Sequence, residues 1–416
     1  MSEERALRQV LVAIATAQGL KKPRFEIKAA SGDRDGFTSS VFRTTISDDG
    51  PSGKAPINII TKTTSDTQEE GLVTLSFVFE GLAYQSILPA LQDVANMTEP
   101  LPWPRCYLVS LDGLPRSISL EDLGLQGFVN ADRSHRLDAA HCRLALRQLA
   151  RYHGAGLALK HLRPEKYNEL RRPLRHLWGT ADGEAKLRPF FQAIRVTPDI
   201  LKNTYPEGSA VYSSLKRLFD AFAEDNVSVT CPGFGKGYTF VHGDFHTNNV
   251  MFQYDKVSGD VIAATLIDFQ LVLPGNPAMD LMTLLLLSGD KALRDAHWDS
   301  LLREYHGELQ ATLRAAGCRD PDEVHSWQLL QEQLSMAAMY GICAVPFYHN
   351  WLYADDETNK EVREFFANPE GKVFRVRVTP ELKSHLEGVV EDVIRWGWLP
   401  SVGEIDRRLA AYGSPR

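Results

Sequence analysis

The sequence predicts an α+β protein of two lobes, a small sheet-rich first lobe followed by a larger, mainly helical second one. Three observations carry this. Strand-like alternation and turn-forming clusters dominate up to about residue 118, helical spacing of apolar residues takes over from Ala139, and one strand-rich island, Tyr238 to Asp268, interrupts the helical part. The chain has 416 residues, enough for two or three lobes. Its 44% hydrophobic and 24% charged residues are ordinary globular usage.

In the first lobe a leading helix precedes the strands. The polar, Gly- and Pro-rich stretch from Ser47 to Pro56 is the turn chemistry of a connection between two strands. Ile57-Asn58-Ile59-Ile60-Thr61-Lys62 alternates as a strand ending in a lysine, and Phe77-Val78-Phe79-Glu80-Gly81-Leu82-Ala83-Tyr84 begins a helix. In the second lobe Leu144, Leu146, Leu149 and Tyr152, then Leu215, Leu218 and Phe222, then Leu329, Leu330, Leu334 and Met336 recur at near-helical spacing. The expected division is a first lobe over residues 1–118, a hinge over 119–125 and a second lobe over 126–416.

Composition narrows the function classes. A net charge of −7 gives no electrostatic footprint for nucleic acid, and Arg171-Arg172-Pro173-Leu174-Arg175 is short and broken by proline, as at a solvated helix end. The apolar run Leu281 to Leu287 is far too short for a bilayer, so no membrane crossing is expected. The opening Met1-Ser2-Glu3-Glu4-Arg5 is not a secretory leader, and five scattered cysteines without a Cys-x-x-Cys pair suit reduced thiols, so a cytoplasmic location is expected. Nothing in the sequence specifies an oligomer.

The densest set of reactive side chains lies in the island. A strand, Tyr238 to Val241, leads into His242-Gly243-Asp244-Phe245-His246-Thr247-Asn248-Asn249, then a strand to Tyr254, a polar turn, a second strand, and Asp268-Phe269-Gln270. Asn249 and Asp268 lie equally far from the midpoint between Ser258 and Gly259, so antiparallel pairing around that turn sets them side by side unless a bulge shifts the register by one. A carboxylate and a carboxamide together supply hard oxygen ligands for Mg²⁺. The spacing from His242 through Asp244 to Asn249 is the His-x-Asp-x-x-x-x-Asn of phosphotransferase catalytic loops, where the Asp accepts the acceptor hydroxyl's proton and the Asn holds metal. His242 is then an orienting group, and His246 shapes the loop.

A phosphotransferase also needs a cation for the nucleotide phosphates. Lys62, with Glu80 as its ion-pair partner, is the candidate. Gly32-Asp33-Arg34-Asp35-Gly36-Phe37-Thr38-Ser39-Ser40 could fold over the phosphates through backbone N–H groups and the Ser39 hydroxyl. Ser119-Leu120-Glu121-Asp122-Leu123-Gly124 falls where the lobes join, with the backbone of Glu121 and Leu123 as candidates for the adenine edge. Asp280, before an apolar helix, has the character of a structural N-cap.

The order of these segments resembles the aminoglycoside phosphotransferase and choline kinase superfamily, and most closely its ecdysteroid-kinase-like (CHK-kinase-like) branch. The likeness rests on His242 to Phe252, Ile267-Asp268-Phe269-Gln270, Pro277-Ala278-x-Asp280-Leu281, Glu80 with Tyr84, Leu88-Pro89, Glu121-Asp122-Leu123 and Leu149-Ala150-x-x-His153, spanning about residues 30 to 350. It implies a protein-kinase-like fold, with ATP and Mg²⁺ as cofactors and a small-molecule hydroxyl as acceptor, an ecdysteroid or related steroid or xenobiotic. It also implies Asp244 as base, Asn249 and Asp268 as metal ligands, and Lys62 with Glu80 at the phosphates. Two positions depart from the branch: His246 stands where an aromatic residue is usual, and Gly36 where an Asn is usual in the phosphate loop.

Apolar walls for the acceptor are available from Trp178, Phe190, Phe191, Tyr340, Phe347, Tyr348 and Trp351. Alternatives remain open at this point: a choline- or aminoglycoside-type kinase, a metal-dependent hydrolase using His242, Asp244 and His246, and a catalytically silent nucleotide-binding module.

Overall fold

Alternating β-branched residues in the first lobe form an antiparallel sheet in the computed structural model. The structure describes residues 3–29, 40–50, 54–65, 71–97, 99–113, 115–132, 135–177, 180–224, 235–353, 357, 360–362, 364 and 374–412. After helix α1 (Glu3–Ala17) come β1 (Pro23–Ala29), β2 (Ser40–Asp48), β3 (Ile57–Thr64), a helical run, β4 (Cys106–Ser110) and β5 (Arg116–Glu121). The five-stranded sheet has the order β1-β2-β3-β5-β4. Ser47 to Pro56 does connect β2 to β3, which pair in register from Ser40↔Thr63 to Ile46↔Ile57. Leu7, Leu11 and Ile14 of α1 pack with Ile46 and Ile59 as a small separate core on the sheet. Each such fully buried side chain contributes about 1.5–3 kcal/mol.

The helical run comprises α2 (Leu72–Leu82), a π-helical segment Ala83–Ile87 and α3 (Leu88–Ala95). Over Leu72–Ala95 it is long and apolar enough to cross a membrane, yet 61% of its most apolar window is buried inside the protein. The π segment leaves one backbone bond per turn out of step, a device frequent at functional sites.

Beyond β5 the chain makes a short 3₁₀ turn (Leu123–Gln126) and β6 (Phe128–Asn130) before the long α4 (Ala139–Leu162). Helices α5 (Pro164–Arg171), α6 (Ala181–Ala193), α7 (Thr197–Ile200) and α8 (Ala210–Glu224) follow. The island supplies β7 (Thr239–Val241), β8 (Val250–Tyr254), β9 (Val261–Leu266) and β10 (Leu273–Gly275). It forms two small sheets, β10-β7 and β6-β8-β9. Then come α9 (Ala278–Met282) with a π continuation to Ser288, α10 (Lys291–Ala315), α11 (Pro321–His325), α12 (Trp327–Leu352), α13 (Pro380–Arg395) and α14 (Val402–Tyr412). The large core is continuous from α2 and α3 through α4 to α10, α12 and α13.

Among the described cysteines, Cys142, Cys318 and Cys343 are buried free thiols and Cys106 is partly buried.

Candidate active site

The loop between β7 and β8 holds the reactive cluster, and a buried carboxylate beneath it fixes its shape. Asp280 of α9 accepts the backbone N–H of His242 at 2.7 Å on Oδ2 and that of Gly243 at 2.9 Å on Oδ1. Its Oδ2 also lies 3.0 Å from Nε2 of His153, whose Nδ1 meets the Tyr305 hydroxyl at 2.8 Å. Asp280 is therefore not an N-cap: Pro277 holds the cap position without a side-chain bond, and the carboxylate instead ties α4, α9 and the loop together. Gly243 is required at the turn, because its φ is +80° and a Cβ there would stand 2.2 Å from the Leu271 carbonyl oxygen.

His242 is fully buried, and its Nε2 donates to the Ile267 carbonyl at 2.9 Å. Burial pulls its pKa below the ordinary histidine value against the nearby Asp280 and Asp244 charges. A neutral ring with one nitrogen committed to a carbonyl orients the loop, as the sequence suggested.

Asp244 sits above this floor, and the loop folds back on it. Asn249 Nδ2 donates both to the Asp244 backbone oxygen at 2.8 Å and to Oδ2 at 2.9 Å. His246 Nδ1 accepts from the Asn248 N–H at 3.3 Å, which leaves the proton on Nε2, 3.2 Å from Asp244 Oδ1. From α12 the Tyr348 hydroxyl also hydrogen-bonds to the Asp244 carboxylate and to Tyr340. Burial would raise the Asp244 pKa, but His246, His242 and Tyr348 together hold it below the ordinary aspartate value. The carboxylate is thus ionised at neutral pH, and its Oδ1, though buried, has no aligned hydrogen-bond donor. His246 does more than shape the loop: it flanks the carboxylate and packs edge-on to Tyr348, ring centroids 5.5 Å apart.

The β8–β9 hairpin brings Asp268 to this loop with a one-residue offset from simple mirror symmetry. Val250 pairs with Leu266, and Ile267 N–H donates to the Asn249 oxygen at 3.1 Å: the turn sets Tyr254 opposite Val261, centred one residue earlier than the sequence suggested, and a bulge at Gln253/Tyr254 recovers one position of the register. Asp268 takes φ +67°, uncommon for a residue with a side chain. Such strain is concentrated where function over-determines the backbone.

Lys62 and Glu80 meet as the sequence implied, Nζ to Oε1 at 2.7 Å, and Lys62 Nζ lies 3.4 Å from Asp268 Oδ1. Burial works against the lysine's charge, but Asp268 and Glu80 overcome it and raise the Lys62 pKa above its ordinary value. Burial lifts the Glu80 carboxyl to about 7, with Lys62 pulling it down. The lysine therefore stays a fixed cation bridging the two lobes' acids.

Glu121 ends β5 and Leu123 opens the 3₁₀ turn, so both stand at the lobe junction. Asp122 between them locks the turn, accepting from the Gly124 N–H at 3.1 Å and from Arg43 Nε of β2 at 2.7 Å. Ser39, with the rest of the Gly32 to Ser39 segment, lies outside the described residues, as do Trp178 and the Trp351 side chain. Of the proposed acceptor walls, Phe190 and Phe191 pack on Phe347 at 6.3 and 5.5 Å as interior residues between α6 and α12, while Tyr348 and Tyr340 turn toward Asp244. Sequence reasoning named Tyr348 only as a wall. Its hydroxyl contact with Asp244 carries no signal in spacing, since 104 positions separate them.

The hydrolase alternative finds no site: among the described residues no three His, Cys, Asp or Glu side chains are grouped to hold a metal.

No curated protein matches the chain. One solved structure similar to it, described as the GDP complex of a mutant aminoglycoside 2'-phosphotransferase-IIIa, is 12% identical, covers 87% of this chain and 98% of its own, and has a TM-score of 0.36. The profile of the ecdysteroid kinase-like family matches residues 33–318, more than half the chain and the site from Lys62 to Asp280, and the chain belongs to that family.

Proposed function

We propose that this protein transfers the γ-phosphate of Mg-ATP to a hydroxyl of a small, largely apolar molecule, with ecdysteroids and related steroids as the first acceptors to offer. Membership of the ecdysteroid kinase-like family supports a small-molecule kinase. The observation that carries the reading is the convergence of Asp244, Asn249, Asp268, Lys62 and Glu80, supplied by two lobes, on one region.

In this scheme the acceptor's O–H gives its proton to the Asp244 carboxylate as its oxygen forms a bond to the γ-phosphorus. The bond from that phosphorus to the β,γ-bridging oxygen breaks, and ADP departs. Tyr348 and His246 hold the carboxylate in place. Lys62, kept charged and steered by Glu80, neutralises phosphate oxygens. Asp268 and Asn249 suit a Mg²⁺ ion. Asp268 Oδ1 is a buried oxygen with the Lys62 ammonium 3.4 Å away and no aligned hydrogen bond, and Asn249 turns its nitrogen to Asp244, leaving its oxygen for the metal. When bound, that ion would neutralise charge on the nucleotide phosphates.

Among the described residues His246, His242, Tyr348 and Asn249 face Asp244. Apolar and neutral acceptors are offered first, with a choline- or aminoglycoside-type acceptor, which anionic or aromatic groups would hold, as the second reading.

The test is incubation with Mg²⁺ and γ-labelled ATP against ecdysteroids, choline, an aminoglycoside and a mixed metabolite extract, with labelled products identified by mass. A steroid phosphate formed by the native protein and absent with Asp244→Asn supports the proposal. Labelled choline or aminoglycoside alone would overturn the acceptor class. Nucleotide binding without transfer to any acceptor would favour the silent binding module.

A further inference from the structure

We propose that a second cavity, behind the junction of the lobes, binds a small planar acid: an apolar ring body carrying one anionic group. The cavity measures about 520 Å³ and is lined from both lobes, including Tyr84, Leu88, Leu101, Trp103, Leu123 and Phe128. That size falls within the range of about 300–1,000 Å³ of small-molecule sites, and the walls are aromatic and aliphatic, as such sites require. Lys62, Asp244, Asn249 and Asp268 do not border it, so it is separate from the reactive cluster, although Glu121 and Leu123, the candidates for the adenine edge, form part of its wall at the lobe junction.

Its shape is held in advance. The rim segment carries Pro100, Pro102 and Pro104, whose fixed φ limits its conformations. Leu101 N–H donates to Gln92 Oε1 at 2.7 Å, and the Pro102 oxygen accepts from the Leu266 N–H at 2.8 Å. A site that needs no ordering on binding retains more of its contact energy as affinity.

The charge preference comes from Arg151 of α4. Its side chain is only 8% exposed, and the one carboxylate within reach, that of Glu99 at 4.0 Å, is itself 81% exposed. Neutral groups take up part of the guanidinium: Gln148 Oε1 accepts at 3.1 Å and the Pro100 oxygen at 3.1 Å, while the buried Nε has no partner. A buried cation facing only amides and a distant, solvated acid is incompletely compensated, and an anion at the cavity wall would complete it. Glu121 is the one acid bordering the cavity among the described residues, and its oxygens already accept from Gln126 at 2.7 Å and the Arg105 N–H at 3.3 Å. The ring body lies toward Trp103 and Tyr84, whose apolar faces suit it.

Occupancy has a route to the reactive cluster. Tyr84 stands one turn beyond Glu80 and meets Phe269, next to Asp268, edge-on at 5.7 Å. A ligand leaning on Tyr84 therefore touches the helix that supplies the partner of Lys62.

Anilinonaphthalene sulfonate, an aromatic acid of this class, is the probe, followed by its fluorescence on the whole protein. The expected result is saturable binding at one site that persists in saturating Mg-ATP. Arg151→Met, which keeps the packed stem and removes the charge, should weaken it by about tenfold. The same substitution should leave binding of uncharged phenylnaphthylamine unchanged. Gln126→Trp, on the exposed rim, should abolish both while thermal melting stays native, which keeps the test valid if Arg151→Met folds poorly. No binding, displacement by Mg-ATP, or native affinity in Gln126→Trp would overturn the proposal. None of these outcomes depends on phosphotransfer activity.

Discussion

Two buried aspartates 36 positions apart divide the catalytic loop into a floor and a working surface. Asp280, 1% exposed, spends both oxygens on three donors from two elements. Asp244, 7% exposed, takes an aligned donor on Oδ2 but none on Oδ1. Burial costs both residues desolvation, and only the first recovers it fully in hydrogen bonds. A carboxylate that the fold saturates is structural; one that the fold buries and leaves with an open oxygen has an acceptor position to offer a substrate proton.

The sharpest way to break this contrast is to neutralise each in turn. Asp244→Asn should lower kcat by about 10²–10⁴ while the melting temperature falls less than in Asp280→Asn, since Oδ1 takes no aligned donor. Asp280→Asn should do the reverse first: an amide facing the His242 and Gly243 N–H groups sets donor against donor, costing about 2–4 kcal/mol of stability. Denaturant unfolding of both variants beside their turnover gives the answer. A stable, active Asp280→Asn or an unstable Asp244→Asn would erase the distinction.

The two aspartates were unequally legible in the sequence. Asp244 announces itself through its neighbours at fixed spacing, because a catalytic loop must place its base and its metal ligand on one short turn. Asp280 sits before an apolar run as an N-cap would, and the three donors that determine its role come from residues 37, 38 and 127 positions away. Sequence spacing carries no such distances. The hairpin shows the same boundary: mirror symmetry placed Asn249 opposite Asp268, while a turn centred between Val257 and Ser258, partly offset by the bulge at Gln253/Tyr254, sets it opposite Ile267. The Lys62–Glu80 pair was legible because a strand ending and an apolar helix face each point one charged residue inward. Tyr348 read only as an aromatic on a helix.

A second comparison, of Asp244 with Glu80, separates base from phosphate clamp by pH. The Asp244 pKa is held below the usual aspartate value, so this group is ionised above about pH 4 and its loss of charge belongs to stronger acid. Glu80 is lifted to about 7, so it gains a proton, and Lys62 loses its counter-charge, as pH falls through neutrality. The KM for ATP should accordingly rise several-fold between about pH 8 and 6 with an inflection near 7. Glu80→Gln should flatten that inflection, leaving KM high throughout, without moving the acid limb set by Asp244. An unchanged pH profile in Glu80→Gln would assign the inflection elsewhere.

The smallest effect bears most directly on what holds the open oxygen in place. Tyr348 reaches Asp244 from α12, whereas Asn249 and His246 reach it from within the loop. If the loop alone positions the base, removing one hydroxyl changes nothing. If α12 contributes, Tyr348→Phe should lower kcat about three- to tenfold, the net worth of one ordinary hydrogen bond, with the KM for ATP and the melting temperature near native. The phenyl ring keeps its edge-on contact with His246, so packing is not the variable. Replacing His246 by Gln, which can keep an N–H beside Oδ1, should cost less than replacing it by Ala. A double variant, Tyr348→Phe with His246→Ala, then measures whether helix and loop act on the same oxygen: a combined loss equal to the sum of the separate free energies means independent supports, and a departure from that sum means a shared one. Because the Asp244 carboxylate must stay aimed at a hydroxyl that changes partners during transfer, a shared support from two elements is the arrangement that keeps it fixed when either contact opens.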